Sequence, residues 1–149
     1  TFIISLTPIL ELRASIPLGY LTFDLSILEA TIISIVGGIT AAAITLALLP
    51  PVVQFFLNFT PFKPIINWVL DKTRAKHSAK FAALGKVLLV TLVALPLPGS
   101  GAYTGSLVAY LFGIPYKSAL KLISTGVCIS GVIVALVTLA GEGLWKMIF

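Results

Sequence analysis

Glu11 and Arg13 stand in the middle of an otherwise apolar stretch, residues 1–23, and theirs is the first chemistry to account for. Ionisable side chains inside so oily a segment are costly and mark a functional site by default. Arg13 offers a planar, permanently charged fork suited to a phosphate or carboxylate. Glu11 can exchange a proton or a cation and so serve as an ion-coupling group. Two positions apart, they point to different sides of a helix and need not pair there. The competing structural role is that Glu11 caps free backbone N–H groups of a facing segment while Arg13 ties carbonyls together. A second concentration of unusual residues is Pro96-Leu-Pro-Gly-Ser-Gly-Ala-Tyr-Thr-Gly105. Proline removes donors and fixes φ, whereas glycine permits tight reversal and close backbone approach. A helix starting near Gly101, and another starting near Ala14 and Ser15, would aim two positive N-terminal ends at one place. With Arg13 they form an expected anion site. Backbone groups at Gly99 and Gly101 and the hydroxyls of Ser15, Ser100, Tyr103 and Thr104 add donors. The competing reading is a tight tip packed on its neighbour without a ligand. Gly99-Ser100-Gly101 is not read as a serine hydrolase, because the lone His77 lies in a basic loop and leaves the serine without a base.

These residues sit in a chain that must fold in lipid. It has 149 residues, 58% apolar and 10% charged, with a mean hydropathy of +1.12. Soluble domains carry about 25% charged residues, so a water-soluble globular domain is excluded. The net charge of +5 would suggest nucleic acid elsewhere, but here the positive residues gather in one loop, the signature of membrane orientation. One Cys (Cys128) and one His exclude an internal disulfide and a zinc site of paired ligands, and no cofactor is expected. The chain opens at Thr1 rather than Met, so native residues upstream are expected, and Glu11 and Arg13 break the first stretch too early for a cleavable signal peptide.

The elements follow from where the charges fall. The expected fold is an all-α integral membrane protein, one membrane domain over 1–149. It comprises a re-entrant hairpin over 1–23, a transmembrane span over 26–58, a basic loop or amphipathic helix over 59–86, a second re-entrant hairpin over 87–113, and a span over 117–146. Ala30–Leu49 is an uninterrupted apolar stretch of 20 residues closed by Pro50-Pro51, where the first span could bend. As a helix that stretch is about 30 Å long, enough for one crossing. Val87–Leu95 and Ser106–Gly113, on either side of the Pro/Gly break, would each reach only about half the hydrocarbon thickness. The first block repeats this layout, with arms Thr1–Thr7 and Ile16–Phe23 and a turn over Pro8–Ser15. Irregular backbone at such depth is tolerable where it is buried in protein or lines a wet cavity. This topology places eight Lys or Arg on one side (Lys63, Lys72, Arg74, Lys76, Lys80, Lys86, Lys117, Lys121) and Lys146 on the other. The loop is therefore expected in the cytoplasm and both termini outside the cell membrane. Small residues form two ridges, Ala30/Ser34/Gly38/Ala42 and Ser124/Cys128/Gly131/Ala135, suited to close helix contact. An offset of 90 residues aligns Pro8 with Pro98, Tyr20 with Tyr110 and Ile33 with Ile123, in the manner of the inverted repeats of secondary transporters.

Pro8-Ile-Leu-Glu-Leu-Arg-Ala-Ser-Ile-Pro-Leu-Gly19 and Leu95-Pro-Leu-Pro-Gly-Ser-Gly-Ala-Tyr-Thr-Gly105 resemble the paired signatures of the putative small multidrug export family, which is similar to the wider DedA (VTT-domain) superfamily. The resemblance spans nearly the whole chain. It implies two facing re-entrant hairpins, an inverted repeat and a carrier that is not an enzyme, with Glu11 and Arg13 matching the acidic and basic hairpin residues. Many DedA proteins also carry an Arg in the second hairpin, and here that hairpin is uncharged. The leading expectation is an H+- or Na+-coupled carrier or lipid-phosphate flippase. Arg13 and the amides of Gly99–Gly101 would hold an anionic lipid headgroup or small molecule, and Glu11 would couple the ion. Export of cationic amphiphiles, with Glu11 as counter-ion, and a non-transporting role in assembly or lipid organisation stand beside it. Membrane lipids and a second copy in a homodimer are the expected partners, and nucleic acid is not.

Overall fold

In the computed structural model, residues 1–7, 11–57, 79–96 and 101–148 are described. Among them all regular structure is helical: α1 (Phe2–Ser5), α2 (Glu11–Leu21), α3 (Ile27–Leu57), α4 (Ala79–Ala94), α5 (Ala102–Leu111) and α6 (Tyr116–Ile148). The loop residues Lys63, Lys72, Arg74, Lys76 and His77, together with Pro8, Gly99 and Ser100, lie outside the described residues.

Local chemistry sets the helix ends. Ser26 and Glu29 form a capping box at the start of α3: the Glu29 amide donates to Ser26 Oγ at 3.2 Å, and the Ser26 amide donates to Glu29 Oε2 at 3.0 Å. At the far end of α5, Gly113 has φ 65°. Its amide donates to Tyr110 O, and the Ile114 amide donates to Ala109 O. These two bonds are a Schellman closure, which needs the left-handed residue that glycine supplies.

Among the described residues, α3 and α6 are the two helices long and apolar enough to cross a membrane, over Ile27–Phe55 and Tyr116–Gly143. They pack on each other. α1 and α2 lie against α3, α2 also meets α6, α4 packs on α6, and α5 touches α3, α4 and α6. The core joins Leu12 and Ile16 of α2, Ala42 of α3, Leu89 and Val93 of α4, Ala102 and Ala109 of α5, and Ile123 and Val127 of α6. So many alanines at the contacts let backbones approach closely, as helices in lipid require. The opposite faces are apolar and open: Leu28, Ile32, Val36, Ile44, Leu48 and Val52 run down α3, and Val132, Leu136 and Val137 down α6. Such long apolar stripes suit a hydrocarbon solvent and would aggregate in water.

Three expectations need correction. The first turn does not extend to Ser15, because Glu11–Ser15 already form the start of α2. Pro17 lacks only the amide that would bond the Arg13 carbonyl, and its fixed φ is already helical, so the helix runs through it. In the second break the helix does start next to Gly101, as expected, so Tyr103–Gly105 belong to α5 rather than to the turn, and α4 begins at Ala79 rather than Val87. α3 runs over Ile27–Leu57, close to the expected span over 26–58, and its passage through Pro50-Pro51 leaves two carbonyls, those of Leu46 and Ala47, without their usual donors. Finally, the ridge Ala30/Ser34/Gly38/Ala42 is buried, but Cys128 is exposed. The buried ridge of α6 is Ala119/Ile123/Val127/Ser130/Val134, one position round the helix. Gly131 of the expected ridge is also buried, close to Ile35 and Leu12, and Ser124 and Ala135 are half-buried, so that ridge follows the margin of the contact rather than its centre.

Candidate functional site: the contact between two helix starts

α2 and α5 each follow a break in the helical chain, and their first residues meet. Glu11 opens α2 with a φ of 42°, a left-handed conformation uncommon for a residue with a side chain. Its amide donates to Thr7 O at 3.2 Å. The Glu11 side chain is buried. Its carboxylate accepts the backbone N–H groups of Ala102 and Tyr103, the first two residues of α5. Those amides have no partner inside their own helix, and the helix dipole favours a negative group there. Gly101 makes the approach feasible: a Cβ at this position would lie 1.9 Å from Glu11 Oε2 and 2.6 Å from the carboxyl carbon. Of the two roles weighed for Glu11, the geometry carries the cap.

Arg13, two residues along α2, is partly buried and feels the Glu11 charge. A small cavity adjoins both, bounded by Leu12, Val93, Gly101, Ala102, Val127 and Ser130 as well. Its volume of about 10 Å³ is room for roughly one water. Tyr103 adds a second tie, its hydroxyl donating to the carbonyl of Leu6.

The structure therefore brings Glu11, Arg13, Gly101 and Tyr103 into one place. Ser15 is elsewhere: its hydroxyl donates at 2.7 Å to Ser34 Oγ, a buried bond that joins α2 to α3. Thr104 lies in the first turn of α5 and already has a polar interaction. Ser130 on α6 was missed, although a lone serine in the aliphatic run Val127–Val134 is a signal that periodicity could have raised. The donors expected for an external anion, the first amides of α5, are held by an internal one. Any larger ligand requires these helix starts to part.

Among the described residues, no group of His, Cys, Asp and Glu could hold a metal ion. Comparison with known families matches residues 11–133 to the family described as putative small multi-drug export protein. No curated protein and no solved structure matches the chain. The match begins at Glu11 itself and covers most of the chain, including the break before α5, the whole of α3 and more than half of α6. With two apolar helices of spanning length and this match, the molecule is a membrane protein, and the chain belongs to the putative small multi-drug export protein family.

Proposed function

We propose that this chain is a proton-coupled membrane exporter, not an enzyme, in which the Glu11 cap on α5 is the coupling element. The observation that carries the reading is the carboxylate of Glu11 on the amides of Ala102 and Tyr103, beside a cavity of one-water size. An ionised carboxylate is a strong acceptor and complements the helix end, whereas a protonated one is a weak acceptor and complements it poorly. Gaining a proton loosens the contact between α2 and α5, and losing it closes the contact again. Arg13 compensates the ionised state. A proton suits the small cavity, while Na+ would need a fuller oxygen shell than Glu11 and Ser130 supply.

The finer architecture belongs to the same proposal. The helix pairs α1–α2 and α4–α5 are re-entrant hairpins, the halves are an inverted repeat of DedA type, and two copies assemble as a homodimer in the cell membrane, with loop 59–86 in the cytoplasm and the termini outside. In support, both hairpin helices α2 and α5 and both long helices α3 and α6 recur about 90 residues apart. Inverted repeats with broken helices are transporter architecture. A second copy, or an opening of the cap, is needed to make a drug-sized path from a one-water cavity.

The test is efflux of ethidium from proteoliposomes under an imposed pH gradient. Glu11→Gln is expected to retain folding and to lose gradient-driven efflux; unchanged gradient-driven efflux in that variant overturns the reading. A second reading, a lipid-phosphate flippase, is favoured by the two amides and Arg13, which together would suit a phosphate once Glu11 leaves. Under it, Arg13→Ala abolishes translocation of a fluorescent phosphatidic acid in the same vesicles, and ethidium is not moved.

A further inference from the structure

A larger space lies away from the helix-start contact. Pro17 and Leu21 of α2 face Val137, Thr138, Gly141 and Glu142 of α6 across an open groove of about 520 Å³. That volume is within the range of sites for drug-sized molecules. We propose that this groove binds a lipophilic monovalent cation, with its apolar body against Leu21 and Val137 and its charge beside Glu142. This deepens the exporter reading and rests on it for the transport step, but not for binding.

The chemistry of the lining selects the charge. Glu142 is half-buried, and its Oε2 accepts the hydroxyl of Tyr20, which fixes the carboxylate at the groove. The other lining groups offer little to an anion: Pro17 has no N–H, and the Thr138 hydroxyl donates to its own helix at Val134 O, 2.8 Å away. A phosphate headgroup would meet the like charge of Glu142, whereas a diffuse cation gains the attraction of the carboxylate. The apolar walls accept a body that water rejects. Gly141 leaves the floor open, since a Cβ there would meet nothing within 4 Å. The α6 wall, from Val137 to Glu142, lies beyond residue 133, where the family match stops, so this is a feature of the chain outside the matched segment.

The experiment measures binding of tetraphenylphosphonium to the full-length chain in detergent, by equilibrium dialysis and without any gradient. Saturable binding is expected. Glu142→Gln should weaken it about tenfold, by loss of the Coulombic attraction, while leaving binding of the neutral analogue triphenylphosphine oxide unchanged. Gly141→Leu, whose side chain enters open space and so should not disturb folding, is expected to weaken both. Wild-type affinity in both Glu142→Gln and Gly141→Leu overturns the proposal. So does a co-purified phospholipid that Gly141→Leu displaces and tetraphenylphosphonium does not. Glu142-dependent binding without ethidium efflux in vesicles would remove the exporter reading alone; efflux with no Glu142-dependent binding would remove the groove alone.

Discussion

Glu11 and Gly101 occupy adjoining volumes so closely that a methyl group on residue 101 would overlap the carboxylate, 1.9 Å from Oε2. The cap on α5 therefore depends on both an acid at 11 and a hydrogen at 101. Gly101→Ala should cost about 1–3 kcal/mol, as overpacking at a rigid contact does. Glu11→Ala should cost about 1 kcal/mol, the usual loss for an N-terminal cap. In Gly101→Ala/Glu11→Ala the methyl has room, so the combined loss should fall short of the sum. Thermal unfolding in detergent measures all three, and strict additivity would mean that the two residues do not share this space.

Ser15 and Ser34 offer a different signature. Their hydroxyls bond at 2.7 Å, and both residues are fully buried between α2 and α3. Ser34→Ala removes the acceptor of a buried donor, with an expected loss of about 1–3 kcal/mol. The double variant Ser15→Ala/Ser34→Ala should be more stable than Ser34→Ala alone, because no buried hydroxyl is then stranded. Denaturant or thermal titration of the set decides it, and a double variant worse than either single one argues for a hydroxyl role beyond packing.

Two glycines of α6 should respond in opposite directions. A Cβ on Gly126 would lie 2.7 Å from Val93 Cβ and 3.1 Å from the Val90 carbonyl, on α4. Gly126→Ala is expected to push α4 outward and cost about 1–3 kcal/mol, with Val93→Ala restoring part of the loss. Nothing lies within 4 Å of the same position on Gly143. Gly143→Ala should stabilise the helix by up to about 1 kcal/mol through propensity alone. Melting temperatures of both variants give the comparison, and equal effects would count against the packing of α4 on α6.

The orientation can be read chemically because Cys128 is the single native cysteine. In a Cys128→Ser background, Lys86→Cys should react with a membrane-impermeant maleimide from the cytoplasmic side and Asp24→Cys from the outside. Lys86 and Asp24 are both exposed on the chain, so silence from both sides would reflect lipid rather than protein cover. Reaction of both from one face would overturn the arrangement of a hairpin followed by a span.

The sequence was legible where solvent preference dominates. Ala30–Leu49 is apolar without a break, and a helix covers it, as burial in lipid demands of any backbone at that depth. Glu11, Arg13 and Gly101 stood out because charge and backbone freedom are rare in such surroundings. Helix starts were the poorer guide, since Glu11–Ser15 and Tyr103–Gly105 are helical where turns were expected. Pro17, Pro50 and Pro51 each sit inside a helix, because losing one amide donor is a local cost that surrounding packing can absorb, and no single-sequence signal reports that packing. The partners of Ser15 and Glu142 were hidden for a related reason: Ser34 is 19 residues away and Tyr20 is 122 residues away, so only the packed helices bring them together.

The cavity beside Glu11, with a volume of about 10 Å³, sets the scale of what can sit against the carboxylate: a single water is of the right size, and a molecule with a ring is not.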